Sequence, residues 1–398
     1  MRKGPGTSSR AFAFGPPGVI CQLPRACVII SALYGWCVER TPLVGQGSSE
    51  VIRVGIIGVS GYGGGELVRI LAGHPEVGLA YLCSETYKGR DISAALPNVR
   101  GFLEAECEGY DPAQIAERCD ILFMVHDNGW AMKEAGRFLD AGLKVIDLSA
   151  DFRLRTKGLY EEWYKLSHGS PELIERAAYG LPEMYAGEIA KAQLVANPGC
   201  YPVGAILALA PLLEEKLIDP DTIVVDSKSG VSGAGRSSFK LDYHFPELNE
   251  SVKAYNVGVH RHTPEIEQEL SRLAGRPVTI LFTPHLIPVT RGILTTAYSG
   301  LIGGGWNTEE LVQMYREFYK SAPFVVVLDA GEYPATKSAF GSNFCHIGLK
   351  ADPRTNRVVV LSAIDNLVKG AAGTAVQNMN LMCGFDERTG LDKPGVFP

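Results

Sequence analysis

The segment VIRVGIIGVSGYGGGELVRIL, residues 51–71, constrains the fold more than any other part of this 398-residue chain. Its first half is a β-branched apolar run too short for a helix and closed by Gly and Ser, which predicts a strand buried on both faces. Leu67, Ile70 and Leu71 then recur at helical spacing, and Gly73 with Pro75 ends that helix. Three more short apolar runs, VGLAYLCS, CDILFMV and KVIDLSA, alternate with helix-like segments such as 130–141. Strand alternating with helix implies right-handed crossovers and a doubly wound parallel sheet, with a first domain reaching to about Asn197.

The middle of the chain reads differently. TIVVDSKS, VTILFTPHLIPV and GILTTAYSGLI are longer strands interleaved with a few helices at 203–216, 264–274 and 308–321, as in an α+β domain on a mixed or antiparallel sheet. Leu367, Val368, Ala371, Ala375, Val376 and Met379 then form one stripe of a long helix that is expected to return to the first domain. The expected division is therefore 51–197 with 366–398 as one domain and 198–365 as the other. Residues 1–50 have no acidic residue before Glu39 and no periodic pattern, so they read as a leader outside the folded domains. It is either an organelle-targeting segment or an unfolded or misassigned start.

Composition narrows the function classes. Lys and Arg number 38 against 44 Asp and Glu, a net charge of −6 that disfavours a nucleic-acid coat or a polybasic membrane anchor. The apolar stretches fall short of a membrane span. Nine cysteines lie scattered with no CxxC, which fits a reducing compartment such as the cytoplasm, or a plastid or mitochondrion if the leader targets one.

Three constellations carry chemistry. Gly58, Ser60, Gly61, Tyr62 and Gly63 sit between the first strand and its helix, where glycines let the backbone approach a pyrophosphate and the helix start offers free N–H groups. At the end of the second strand, Ser84, Lys88 and Arg90 suit a ribose 2′-phosphate, which favours NADP(H) although Glu85 stands among them. Cys200, in NPGCYPV, precedes Pro202 and an apolar helix; a thiol at a helix start is expected to fall below the usual value of about 8.5 and to serve as a nucleophile. In His260-Arg261-His262, Thr263 is the expected cap and Pro264 the first helical residue of the segment that follows. Imidazoles at a helix start stay neutral and able to take a proton, and no further ligands lie at zinc-like spacing, so no metal is expected. The loops 149–153, 228–236 and 285–291 are rich in Gly, Ser and Arg and suit a substrate anion, with Arg153, Ser229, Arg236 and Arg261 as its contacts.

GVSGYGGGEL, DLSADFRL, YGLPE, NPGCYP, KSGVSGAGR, HRHTPEIEQEL, FTPHLIPVTRGIL and DNLVKGAAGTAVQNMNLM together resemble the N-acetyl-gamma-glutamyl-phosphate reductase family over residues 51–390. The resemblance implies a two-domain semialdehyde-dehydrogenase fold with a catalytic and dimerisation domain. It also implies NADPH as cofactor, with Asn366 among its contacts, and a homodimer or homotetramer. It places the nucleophile on Cys200 and the acid/base within His260-Arg261-His262. Val203, the turn 125–129 and Phe340 depart from the family pattern. An Arg missing before Gly341-Ser342-Asn343 leaves open a related reductase acting on a carrier-protein-linked aminoadipyl or glutamyl phosphate. A catalytically silent dinucleotide sensor is the alternative of another class.

Overall fold

Six parallel strands form the first sheet, in the order β2-β1-β3-β4-β6-β5. They are β1 (Ile52–Ile57), β2 (Val77–Cys83), β3 (Ile121–Met124), β4 (Lys144–Asp147), β5 (Ala177–Tyr179) and β6 (Leu194–Ala196). The computed structural model describes residues 51–397, so the 1–50 leader lies outside the described residues. Alternate residues of each strand enter two different cores, which is why these runs carry no polar face. Val54, Ile56, Ile121 and Phe123 meet Leu67 and Val68 of the helix Tyr62–Leu71 on one side. Ile57, Leu122 and Met124 meet Ile115, Met132 and Phe138 on the other. The sheet order reverses direction between β1 and β3, and the crevice beyond their C-terminal ends is where such sheets bind ligands.

The second sheet has seven strands in the order β11-β12-β13-β10-β7-β9-β8. These are β7 (Val224–Ser229), β8 (Lys253–Ala254), β9 (Leu281–Leu286), β10 (Ile293–Gly300), β11 (Val325–Val327), β12 (Cys345–Asp352) and β13 (Arg357–Ile364). The sheet is mixed: β7 pairs parallel with β9, whereas β10 lies antiparallel to both β7 and β13. Among the described residues, no helix is long and apolar enough to cross a membrane.

One helix decides how these parts come together. Cys200–Glu214 is apolar all round, and every residue from Tyr201 to Leu213 is buried. A helix with no polar stripe must be enclosed on every side; it packs on β10, β13 and the helix Thr263–Ala274. Pro211 inside it lacks the N–H that would bond the Leu207 carbonyl, and the Tyr319 hydroxyl supplies that bond instead at 2.6 Å.

The C-terminal stripe does not form one uniform helix. Val368–Ala372 is a wide π-type turn, followed by the α-helix Gly373–Cys383 lying against Tyr62–Leu71 and β4. Asp365 accepts the Leu367 and Val368 N–H groups at its start, and Gly370 passes so close that a Cβ there would be 2.8 Å from the Cys200 Cβ. The widened turn is where the chain passes Cys200.

Glu66, on the helix Tyr62–Leu71, joins the two sheets. It is almost fully buried and takes both terminal nitrogens of Arg291, at 3.1 and 3.0 Å, from the loop between β9 and β10. Arg69 reinforces it from one turn away. Burial works to raise this carboxyl, yet the two arginines outweigh it and hold the group below the ordinary glutamate value. Its stabilising effect is therefore present above the unfolded-state value and is lost as pH falls through the lowered one. Arg291→Met is expected to destabilise the protein by about 3 kcal/mol, because it strips a buried carboxylate of its main partner. Arg69→Met, at a more exposed partner, should cost less than about 1 kcal/mol. Urea unfolding at pH 7 measures both.

Candidate active site

Two cavities meet at the start of the buried helix. The larger, about 420 Å³, is bounded by Arg153, Tyr164, Ser229, Tyr255, His260 and Arg261 among others. The smaller, about 230 Å³, runs from Tyr62 and Gly63 past Asn197 to Asn366 and Gly370. Arg153, Cys200, Gly233 and His262 line both.

The smaller cleft begins at the glycine turn. Gly58 has φ +88°, and a Cβ on it would lie 2.1 Å from the Val125 carbonyl oxygen at the end of β3, so only glycine fits. Gly61 precedes the helix, whose first-turn N–H groups have no intrahelical partner and face the crevice end of the sheet. This cradle, free of side chains where a pyrophosphate would approach, fits a dinucleotide. Ser84 is buried and donates to Ser60 Oγ at 3.2 Å, so it braces the turn. Lys88 and Arg90 stand exposed on the loop beyond. The Glu85 carboxylate accepts the Tyr110 N–H at 2.6 Å, and the Lys88 side chain lies against the adjacent Gly109. Asn366 lines the other end of the cleft and is fixed by the Gly292 N–H at 2.7 Å and by Ser232 Oγ at 3.0 Å.

Cys200 is the first residue of its helix, with Gly199 as the cap. The lowered thiol expected from a helix start is not what the structure gives. Burial pushes the Cys200 thiol up to about 11, outweighing the pull of Arg153 and of the Tyr201 and Cys200 N–H groups. The free site therefore holds a neutral thiol. Its neighbours are neutral as well: burial lowers His260 to about 4 and carries His262 well below its ordinary value. The sequence assigned that neutrality to the helix start, whereas desolvation is the larger cause. The helix also begins at Thr263 with His262 in the cap position, one residue earlier than expected, and the Thr263 hydroxyl caps nothing. The His262 ring lies against Gly199, where a Cβ would be 2.5 Å from Nε2.

The expected substrate contacts divide. Ser229 and Arg261 line the larger cavity, with the Arg261 guanidinium 5.3 Å from the Tyr164 ring centre. Arg153 lines it too, but its guanidinium is committed to protein: Nε donates to the Asn197 carbonyl at 2.7 Å and Nη2 to that of Leu148 at 2.8 Å. What it offers the site is charge. Arg236 lies elsewhere, bonded to the carbonyls of Ser60 at 3.1 Å and Ala95 at 2.8 Å, so it closes on the glycine turn instead of the substrate cavity. Of the loop 285–291, Arg291 is held by Glu66 and His285 faces Asp226, so both side chains are turned to protein carboxylates. Phe340, where the family pattern has Arg, is beside Arg291 and away from the substrate cavity.

Sequence reasoning passed over Glu265, Tyr201 and Tyr255. Glu265 is fully buried yet reads as an ordinary acidic residue in a helix's first turn. Tyr201 and Tyr255 share a hydroxyl contact at 2.9 Å, in the wall of the larger cavity, between segments 54 residues apart.

Residues 53–192 match the family model described as "Semialdehyde dehydrogenase, NAD binding domain", and residues 200–366 match "Semialdehyde dehydrogenase, dimerisation domain". The N-acetyl-gamma-glutamyl-phosphate reductase of Moorella thermoacetica is 53% identical over 348 residues, covering 87% of this chain and 100% of that protein. That of Pelotomaculum thermopropionicum is 54% identical over 347 residues, covering 87% and 99%. The chain belongs to the N-acetyl-gamma-glutamyl-phosphate reductase family. The fold of this family member also matches solved structures at lower identity. Aspartate semialdehyde dehydrogenase II of Vibrio cholerae superposes with a TM-score of 0.64 at 17% identity, covering 84% of this chain and 99% of that one. The aspartate semialdehyde dehydrogenase of Candida albicans solved with NADP gives 0.61 at 17%, covering 84% and 98%.

The close approach at Gly199 is testable in this reductase-family site. Gly199→Ala is expected to displace the His262 ring or the start of the Cys200 helix, lowering kcat by about 100-fold with the fold retained. Steady-state kinetics alongside circular dichroism checks it.

Proposed function

We propose that this protein reduces N-acetyl-L-glutamyl 5-phosphate to N-acetyl-L-glutamate 5-semialdehyde and phosphate, with NADPH as reductant and a thioester on Cys200 as intermediate. The observation that carries this reading is that Cys200 lines both the substrate-sized cavity and the dinucleotide cleft. A silent dinucleotide sensor has no use for a thiol at that junction.

In the larger cavity, the acyl phosphate is held by Arg261 and Ser229, with the carbonyl carbon beside Cys200. A neutral histidine, His260 or His262, takes the thiol proton as sulfur attacks that carbon, and the C–O bond to phosphate breaks to leave the thioester. The charge of Arg153 and the first-turn N–H groups of Cys200 and Tyr201 stabilise negative charge on sulfur and on the developing oxyanion. The cleft residues Gly58, Ser60, Gly61, Tyr62, Gly63 and Asn366 would hold NADPH, with Ser84 bracing the turn, Arg236 closing on it, and Lys88 and Arg90 for the 2′-phosphate. When bound, the cofactor supplies the hydrogen and two electrons that take the thioester to the aldehyde level. The histidine then returns its proton as the C–S bond breaks.

The departure at Phe340 does not reach the cavity, so it supplies no reason for a carrier-linked substrate. Tyr298 and Leu281 stand exposed on the second sheet, which supports self-association through that domain as a homodimer or homotetramer. The six cysteines among the described residues are all free, which supports a reducing compartment such as the cytoplasm.

Cys200→Ser should abolish phosphate-dependent NADP reduction with N-acetylglutamate semialdehyde while leaving NADPH binding, read by fluorescence titration, in place. Wild-type turnover in that variant would remove Cys200 from the mechanism. The pH profile offers a second check. Because both imidazoles are held neutral far below the ordinary histidine value, kcat/KM should show no acid limb near pH 6.5 and should fall only toward the lowered values.

A further inference from the structure

Beneath Cys200 lies a buried carboxylate to which the reading above gives no role. Glu265 has no exposed surface. Its Oε1 accepts the Gly199 N–H at 2.8 Å and the Tyr179 hydroxyl at 2.9 Å. Its Oε2 lies 3.5 Å from Arg153 Nη1 and, among the described residues, has no hydrogen-bond partner. Gly199 is the cap of the Cys200 helix, and Glu265 stands one turn beyond His262 on the helix Thr263–Ala274. Arg153 is itself bolted to the first sheet's loops through the carbonyls of Asn197 and Leu148.

We infer that Glu265 is a positioning residue for the reaction, fixing the start of the Cys200 helix against the helix that carries His262 and balancing the Arg153 charge beside the sulfur. The inference rests on the reading of Cys200 as nucleophile. A lone anion here would be costly to bury, and a hydrogen bond to one backbone amide does not require a charge; a Gln would serve. Burial raises this carboxyl above the ordinary glutamate value, and Arg153, the buried cation that also faces the thiol, is the chief group opposing that rise. The groups facing Cys200 are Arg153 from the loop after β4, Glu265 and His262 from one helix, Tyr201 on its own helix, and Tyr255 and His260 from the segment before Thr263. Burial holds the thiol neutral; Arg153 favours the thiolate and Glu265 opposes that pull in part, so the carboxylate sets how much of the Arg153 charge the sulfur feels.

Two substitutions separate the roles. Glu265→Gln keeps an acceptor for the Gly199 N–H and removes the charge. Glu265→Asp keeps the charge and withdraws it from Gly199 by one methylene. Both should lower kcat by about tenfold or more while KM for the acyl substrate stays within about twofold, since neither touches the substrate. Alkylation of Cys200 by iodoacetamide, followed by mass spectrometry of its peptide against pH, gives the second readout. In Glu265→Gln the alkylation profile should move to lower pH, so that the sulfur reacts faster at pH 8 in an enzyme that turns over more slowly; in Glu265→Asp it should stay in place. Wild-type kcat in either variant, or an unmoved profile in Glu265→Gln, overturns the inference. So does loss of the fold in both, by circular dichroism. Full turnover in Cys200→Ser would instead overturn the nucleophile reading, which these variants do not test.

Discussion

The structure depends on enclosing a helix that has no polar side. From Tyr201 to Leu213 the helix Cys200–Glu214 is buried, so the second sheet, the Thr263 helix and the C-terminal segment close round it. That enclosure places the helix start where the two cavities join. The same packing leaves the thiol and both histidines only partly exposed at the cavity walls, and desolvation there is the largest cause of their shifts.

A neutral thiol beside a neutral imidazole differs from the preformed thiolate that a helix start alone would suggest. The helix terminus contributes, but its effect is small beside the cost of charging a group in an apolar surrounding. Among the described residues, Arg153 is the buried cation that acts on the sulfur, and a carboxylate partly offsets it.

The two sheets meet through polar contacts as well as apolar packing. Glu66 with Arg291 and Asn366 with Gly292 and Ser232 tie the glycine-turn helix and the end of β13 to the loops of the second sheet. Of these groups, Asn366 and Ser232 line the smaller cleft. Phe340 lies in this joint, which explains why a departure from the family pattern there leaves the substrate cavity untouched.

Local pattern alone was enough for the parallel sheet, the glycine turn and the Cys200 helix, because strand periodicity, Gly placement and Pro in a first turn act over a few residues. What the sequence left hidden depended on distance along the chain. Glu265 looks like any acidic residue at a helix start until Gly199 and Arg153 are brought to it from 66 and 112 positions away. Arg236 and Arg291 look like anion binders until their partners Ser60 and Glu66 arrive from the other domain. The chain by itself determined which groups were available. Tertiary structure decided which of them were buried, paired or left facing a cavity, because desolvation and charge pairing are properties of neighbours that a linear pattern does not contain.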